Sequence, residues 1–199
     1  GVQAAGVNFG LDIMEEMSIQ AGGLTAEYGS VRGAVVNVVS KSGGNKFSGS
    51  SSFYFNHEKL KGDNTKNTPL AGAKSGNKLE YEPVVTLGGP IIKDKLWFFM
   101  NGSFNSSERF VAGYPGNCPP GQEKPVKTFV PYPFLKLSFQ PGINDKFTLS
   151  YNFSTTISDD SGASKFSMES VTQKRRAPGH VLNFQYTKFF SPNFFANLK

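Results

Sequence analysis

Downstream of Lys46, seven stretches of the chain alternate apolar and polar residues almost one for one. They read "KFSGSSSFYFNHE", "LEYEPVVTLGG", "KLWFFMNGSFNSSERF", "KTFVPYPFLKLSFQ", "DKFTLSYNFSTTI", "HVLNFQYTKFF" and "NFFANLK". Successive side chains of a strand point to opposite faces, so each stretch predicts a strand with one greasy face and one wet face. In the fifth, Phe147, Leu149, Tyr151, Phe153 and Ile157 share a side, and Lys146, Thr148, Ser150, Asn152 and Ser154 share the other. In the sixth, Leu182, Phe184 and Tyr186 oppose Asn183, Gln185 and Thr187. The fourth puts Phe129, Leu135, Leu137 and Phe139 together and carries two prolines inside the pattern.

The connections sort into two kinds. Those after the second, fourth and sixth stretches are tight ("PIIKD", "PGIN", "SPN"); those after the first, third and fifth are long and polar. Short alternating with long predicts an up-and-down antiparallel meander whose tight turns all lie at one end. Outer-membrane barrels have this asymmetry, with short periplasmic turns and longer extracellular loops. A soluble β-rich binding module also alternates, with its greasy face turned into a core. Strands of ten or more residues and aromatics near strand ends, where membrane girdles lie, favour the barrel.

The first forty-five residues break the rhythm. Strand-like runs at Ile13–Gln20 and Ala34–Ser40 flank a Gly-bounded turn for which a helical turn is one reading, and "AVVNVV" has the pattern of a strand buried on both faces. The expected division is therefore a small α+β domain over residues 1–45, joined through "KSGGN" to a partial all-β transmembrane barrel over residues 46–199. Composition agrees: 19 Phe, 7 Tyr and 22 Gly favour strands and turns over helices. No apolar run approaches the ~20 residues of a membrane helix, which leaves a barrel open because its strands alternate. The net charge of +6 is scattered, and the cluster Lys174-Arg175-Arg176 is too short for a nucleic-acid footprint. It reads as a solvated or lipid-headgroup-facing loop end, and no nucleic-acid partner is expected. No leader-peptide pattern opens the chain at "GVQAAGVNFG".

Candidate chemistry is sparse. Cys118 is the sole cysteine and lies in a turn-rich loop, so no internal disulfide forms. His57 and His180 are too few for a zinc cluster. Asp159-Asp160 lacks the spacing of a calcium loop. Glu15-Glu16 are adjacent in a strand, point to opposite faces and cannot share a substrate. With no nucleophile elbow or phosphate loop either, neither an enzyme nor a cofactor or metal site is expected.

"AEYGSVRGAVVNVVSKSGGNKFSGS" resembles the end of the plug domain and first barrel strand of TonB-dependent outer-membrane receptors. "LGGPIIKDKLWFFMNGSF" is similar to the hairpin between second and third strands in their Oar-like subgroup. The resemblance implies the C-terminal part of a plug at residues 1–45 and the first strands of an outer-membrane barrel after it. It further implies a receptor that binds an unidentified ligand at extracellular loops and imports it, with energy from the TonB complex through a segment absent from this chain. Outer-membrane lipid and lipopolysaccharide are the implied surroundings. The alternative is a structural or adhesin barrel without active transport. Within the implied plug, Glu27 and Arg32 flank the Gly29 and Gly33 turns as a plug-wall contact or latch, and Gly43 and Gly44 form the plug-barrel hinge.

Overall fold

The computed structural model describes residues 2–4, 7–20, 34–62, 68, 71–191 and 194–198. Its first part holds two small antiparallel ribbons, β1 (Val2–Ala4) with β2 (Val7–Phe9) and β3 (Met14–Gln20) with β4 (Val35–Ser40). The remainder is one open antiparallel sheet. It contains β5 (Ser48–His57), β6 (Gly76–Ile92), β7 (Leu96–Phe110), β8 (Pro125–Pro131), β9 (Phe134–Phe139), β10 (Asp145–Ser161), β11 (Gln173–Ser191) and β12 (Phe194–Leu198). Every strand pairs with its neighbours in chain order, with β8 and β9 in line between β7 and β10. This is the expected seven-element meander, with its fourth element broken in two. Pro131 and Pro133 cause the break, because proline cannot donate to the ladder. The chain steps across the gap on bonds from the Tyr132 amide to the Ser103 carbonyl and from the Phe153 amide to the Pro133 carbonyl.

The register sorts the two faces. Outward side chains stack across strands as Leu137–Leu149–Phe184 and Leu135–Tyr151–Leu182, with Val85, Leu87 and Met100 beside them. Leu182 is 68% exposed on this side. The inward face carries Thr86, Asn101 and Ser154, all buried. Greasy residues outside and polar residues inside invert the arrangement of a water-soluble core, and that inversion favours the barrel wall over the soluble β-rich module. Among the described residues an apolar cluster on the inner side joins Ile13 to Phe99 and Phe134, where the N-terminal segment meets the wall.

Two elements differ from expectation. β11 begins at Gln173, so the basic cluster is strand rather than loop end, with Arg175 beside inward Ser158 and Arg176 beside outward Ile157. β4 is also not shielded on both faces: Val36 is 48% and Val38 43% exposed. Among the described residues β3 is its only strand partner, and the wall passes along one side, leaving Met17, Ile19, Val36 and Val38 exposed together. The turn between β3 and β4 lies outside the described residues.

The tight β6–β7 turn shows how sequence sets a joint. Asp94 sits at φ 62, a left-handed position that Asp tolerates. Asn45, the last residue before the wall pattern starts, holds it. The Asn45 side-chain amide donates to the Asp94 carboxylate at 2.5 Å, and its oxygen accepts from the Asp94 amide at 2.9 Å and the Trp97 indole at 2.7 Å.

Candidate functional site

At the end of the sheet opposite the tight turns, two long loops fold onto each other. The Gly116 amide donates to Ser167 O at 2.9 Å, the Asn117 amide to Lys165 O at 2.7 Å, and Lys124 pairs with Glu169 at 2.5 Å. Gly116 is required there: its φ is +61, and a Cβ would strike the Met168 sulfur. Tyr114, 1% exposed, is the pivot; its hydroxyl donates to Asp160 Oδ1 at 3.1 Å, which also accepts from the Thr172 hydroxyl at 3.0 Å. Burial raises the Tyr114 phenol above its ordinary value, and the hydrogen bond to Glu169 raises the Lys124 ammonium. Asp159-Asp160 belongs to β10, and Asp160 organises the loop pair.

Below this cap lies a cavity of about 550 Å³ on the inner face. Glu80, Ser107, Thr128 and Ser158 line it as one rung across β6, β7, β8 and β10. Arg109, one rung higher on β7, and Asp160 complete its charged lining. Glu80 accepts from the Asn77 amide at 2.6 Å and the Asn105 amide at 3.1 Å. Among the described residues Arg109 makes no ion pair and no hydrogen bond. The alternation pattern predicts that Ser107, Thr128 and Ser158 face inward; their meeting at one height follows only from the register.

The second site-like feature is the contact between N-terminal segment and wall. Lys136, pointing inward from β9, donates to the Ser40 carbonyl at 2.8 Å and hydroxyl at 3.1 Å. Asp12 accepts from Ser52 and Tyr54 of β5 at 3.5 Å each, both long. Between β4 and the wall lies a gap of about 710 Å³ lined in part by Asn37, Lys136, Ser150, Asn183 and Gln185. Sequence reasoning missed Lys136, although a lone lysine at an inward position of "FLKLSF" is a readable signal.

Glu27 and Arg32 lie outside the described residues. Gly43 and Gly44 are described, and neither has the positive φ that motivates a glycine hinge. Gly43 is held to glycine by close approach, since a methyl there would run into the Phe98 carbonyl; Gly44 faces open space. His57 ends β5 and accepts from the Lys59 amide at 3.1 Å, and His180 hydrogen-bonds the Tyr151 hydroxyl at 2.8 Å. No group of three or more His, Cys, Asp or Glu is placed to hold a metal among the described residues.

Comparison with known proteins decides what kind of wall this is. Residues 39–113 match the outer membrane beta barrel domain family. The chain is also 36% identical over 103 residues to the TonB-dependent transporter Oar of Myxococcus xanthus, covering 48% of this chain. This chain carries outer-membrane β-barrel wall and is similar to the Oar-like TonB-dependent receptors. It spans about 10% of the length of that relative. No solved structure matches. The protein is one of the cell outer membrane, so the exposed apolar face is its lipid surface. The family match runs through β5, β6 and β7, the strands that bear the quoted hairpin.

Proposed function

We propose that the chain is part of an import receptor, not an enzyme. Residues 1–45 act as the end of a plug and residues 46–199 as the first strands of the barrel around it. A ligand binds on the extracellular side, in the cavity beneath the loop cap. The plug then rearranges, driven by the TonB complex through a segment outside this chain. The observation that carries this reading is the Lys136–Ser40 contact. An N-terminal segment is fastened to the polar inner wall by these two hydrogen bonds and the small Ile13–Phe99–Phe134 contact, beside a wide gap, so that few interactions must break for it to move. In the same reading Glu27 and Arg32 are further plug-wall contacts, and Gly43 lets the plug exit pass close under the β6–β7 hairpin.

Metabolite depletion from spent medium tests it, comparing wild type, a strain lacking the full-length receptor and a strain lacking TonB. The expected outcome is at least one solute whose uptake needs both. If no solute depends on both, the barrel is a structural or adhesin element and the import reading is wrong.

A further inference from the structure

The cavity beneath the loop cap has a lining whose charges specify more than polarity. Arg109 is a guanidinium with no partner among the described residues, facing a cavity shared with two carboxylates, Glu80 and Asp160. Those carboxylates are held in place by neutral donors: the Asn77 and Asn105 amides on Glu80, and the Tyr114 and Thr172 hydroxyls on Asp160. Neither is in an ion pair among the described residues, and each has spare lone pairs. Between them, the hydroxyls of Ser107, Thr128 and Ser158 make no hydrogen bond among the described residues.

Three ligand chemistries meet this lining differently. A simple anion finds Arg109 but is opposed by two fixed carboxylates. A neutral sugar can use the hydroxyls but leaves the guanidinium and both carboxylates without a charged partner. A zwitterion satisfies both signs at once. Register sets its length. Glu80 is opposite Ser107, and Arg109 lies two residues further along β7, so their backbones are diagonal neighbours about 7–8 Å apart. That span suits the two ends of a short peptide better than the adjacent amine and carboxylate of a free amino acid. The free hydroxyls between them can then donate to, or accept from, peptide groups.

Building on the import reading above, we propose that this cavity binds a short zwitterionic peptide. Its carboxylate lies on Arg109, where a planar fork can form two parallel bonds, and its ammonium lies against Glu80.

The test is calorimetric binding to the purified full-length receptor in detergent, using trialanine, its N-acetyl form and its C-terminal amide. Trialanine is expected to bind saturably, with each capped form weaker by at least about tenfold. Arg109→Gln, an exposed position whose change leaves the fold intact, should erase the difference between trialanine and its amide and keep the penalty for N-acetylation. Equal binding of capped and free forms overturns the proposal. So does absent binding of trialanine, displacement of it by sulfate, or an Arg109→Gln receptor that still discriminates against the amide. None of these results bears on TonB-dependent depletion of solutes, so the site assignment and the import reading fail separately.

Discussion

Leu182 and Asn183 are consecutive residues of β11 at one depth, the first beside outward Tyr151 and the second beside inward Ser150. The apolar band on neighbouring β10 runs from Phe147 to Ile157. At about 3.4 Å per residue and a tilt near 40°, that stretch is about 34 Å along the strand and about 26 Å in height, close to the roughly 25 Å band of an outer-membrane barrel. Tyr151 lies near its middle, so Leu182 is close to the bilayer midplane. Arginine at Leu182 therefore places a guanidinium in hydrocarbon at a cost of about 2–4 kcal/mol. This corresponds to roughly a 30- to 900-fold loss in the folding equilibrium. Arginine at Asn183 enters the gap beside Gln185 and Ser150, where water and polar groups meet it, and should cost under about 1 kcal/mol. Asn152 is no substitute as the inner control, because at 2% exposure it has no room for a larger side chain. Reversible folding of the full-length receptor into lipid vesicles measures both. Equal costs for Leu182→Arg and Asn183→Arg refute the assignment of faces, as does a larger cost at Asn183.

Further consequences can be measured in the same full-length receptor. Lys136→Met removes two charge-assisted bonds to Ser40, each worth about 1.5–3 kcal/mol; the barrel should insert normally, while β4 amides exchange faster and large antibiotics leak in. Unchanged exchange across Val35–Ser40 contradicts it. Gly43→Ala forces a methyl into the Phe98 carbonyl and should cost about 1–3 kcal/mol, whereas Gly44→Ala should be silent; similar melting shifts for the two refute the close-approach argument. Tyr114 and Lys124 both have raised folded values, so their contribution to the loop cap is whole below about pH 10 and is lost as pH climbs through the shifted values. A phenolate titration of wild type minus Tyr114→Phe checks this; a difference curve centred at or below about 10 rules it out.

The strands and their faces were legible in the sequence because period-two alternation is a local property: each residue's side follows from its neighbours along the chain. Tight and long connections likewise revealed the meander, with its tight turns at one end. What local pattern cannot carry is height across strands. That Glu80, Ser107, Thr128 and Ser158 form one rung depends on four registers, each set by pairing between segments far apart in sequence. Coverage of β4 is a related case: a run of valines encodes the capacity to be covered, while coverage depends on which surfaces are brought to it, and among the described residues only the wall and β3 are. The partners of Lys136 and Tyr114 belong to the same category. Ser40 precedes Lys136 by 96 residues and Asp160 follows Tyr114 by 46, and only the curvature of the wall and the docking of two loops bring them within hydrogen-bond reach.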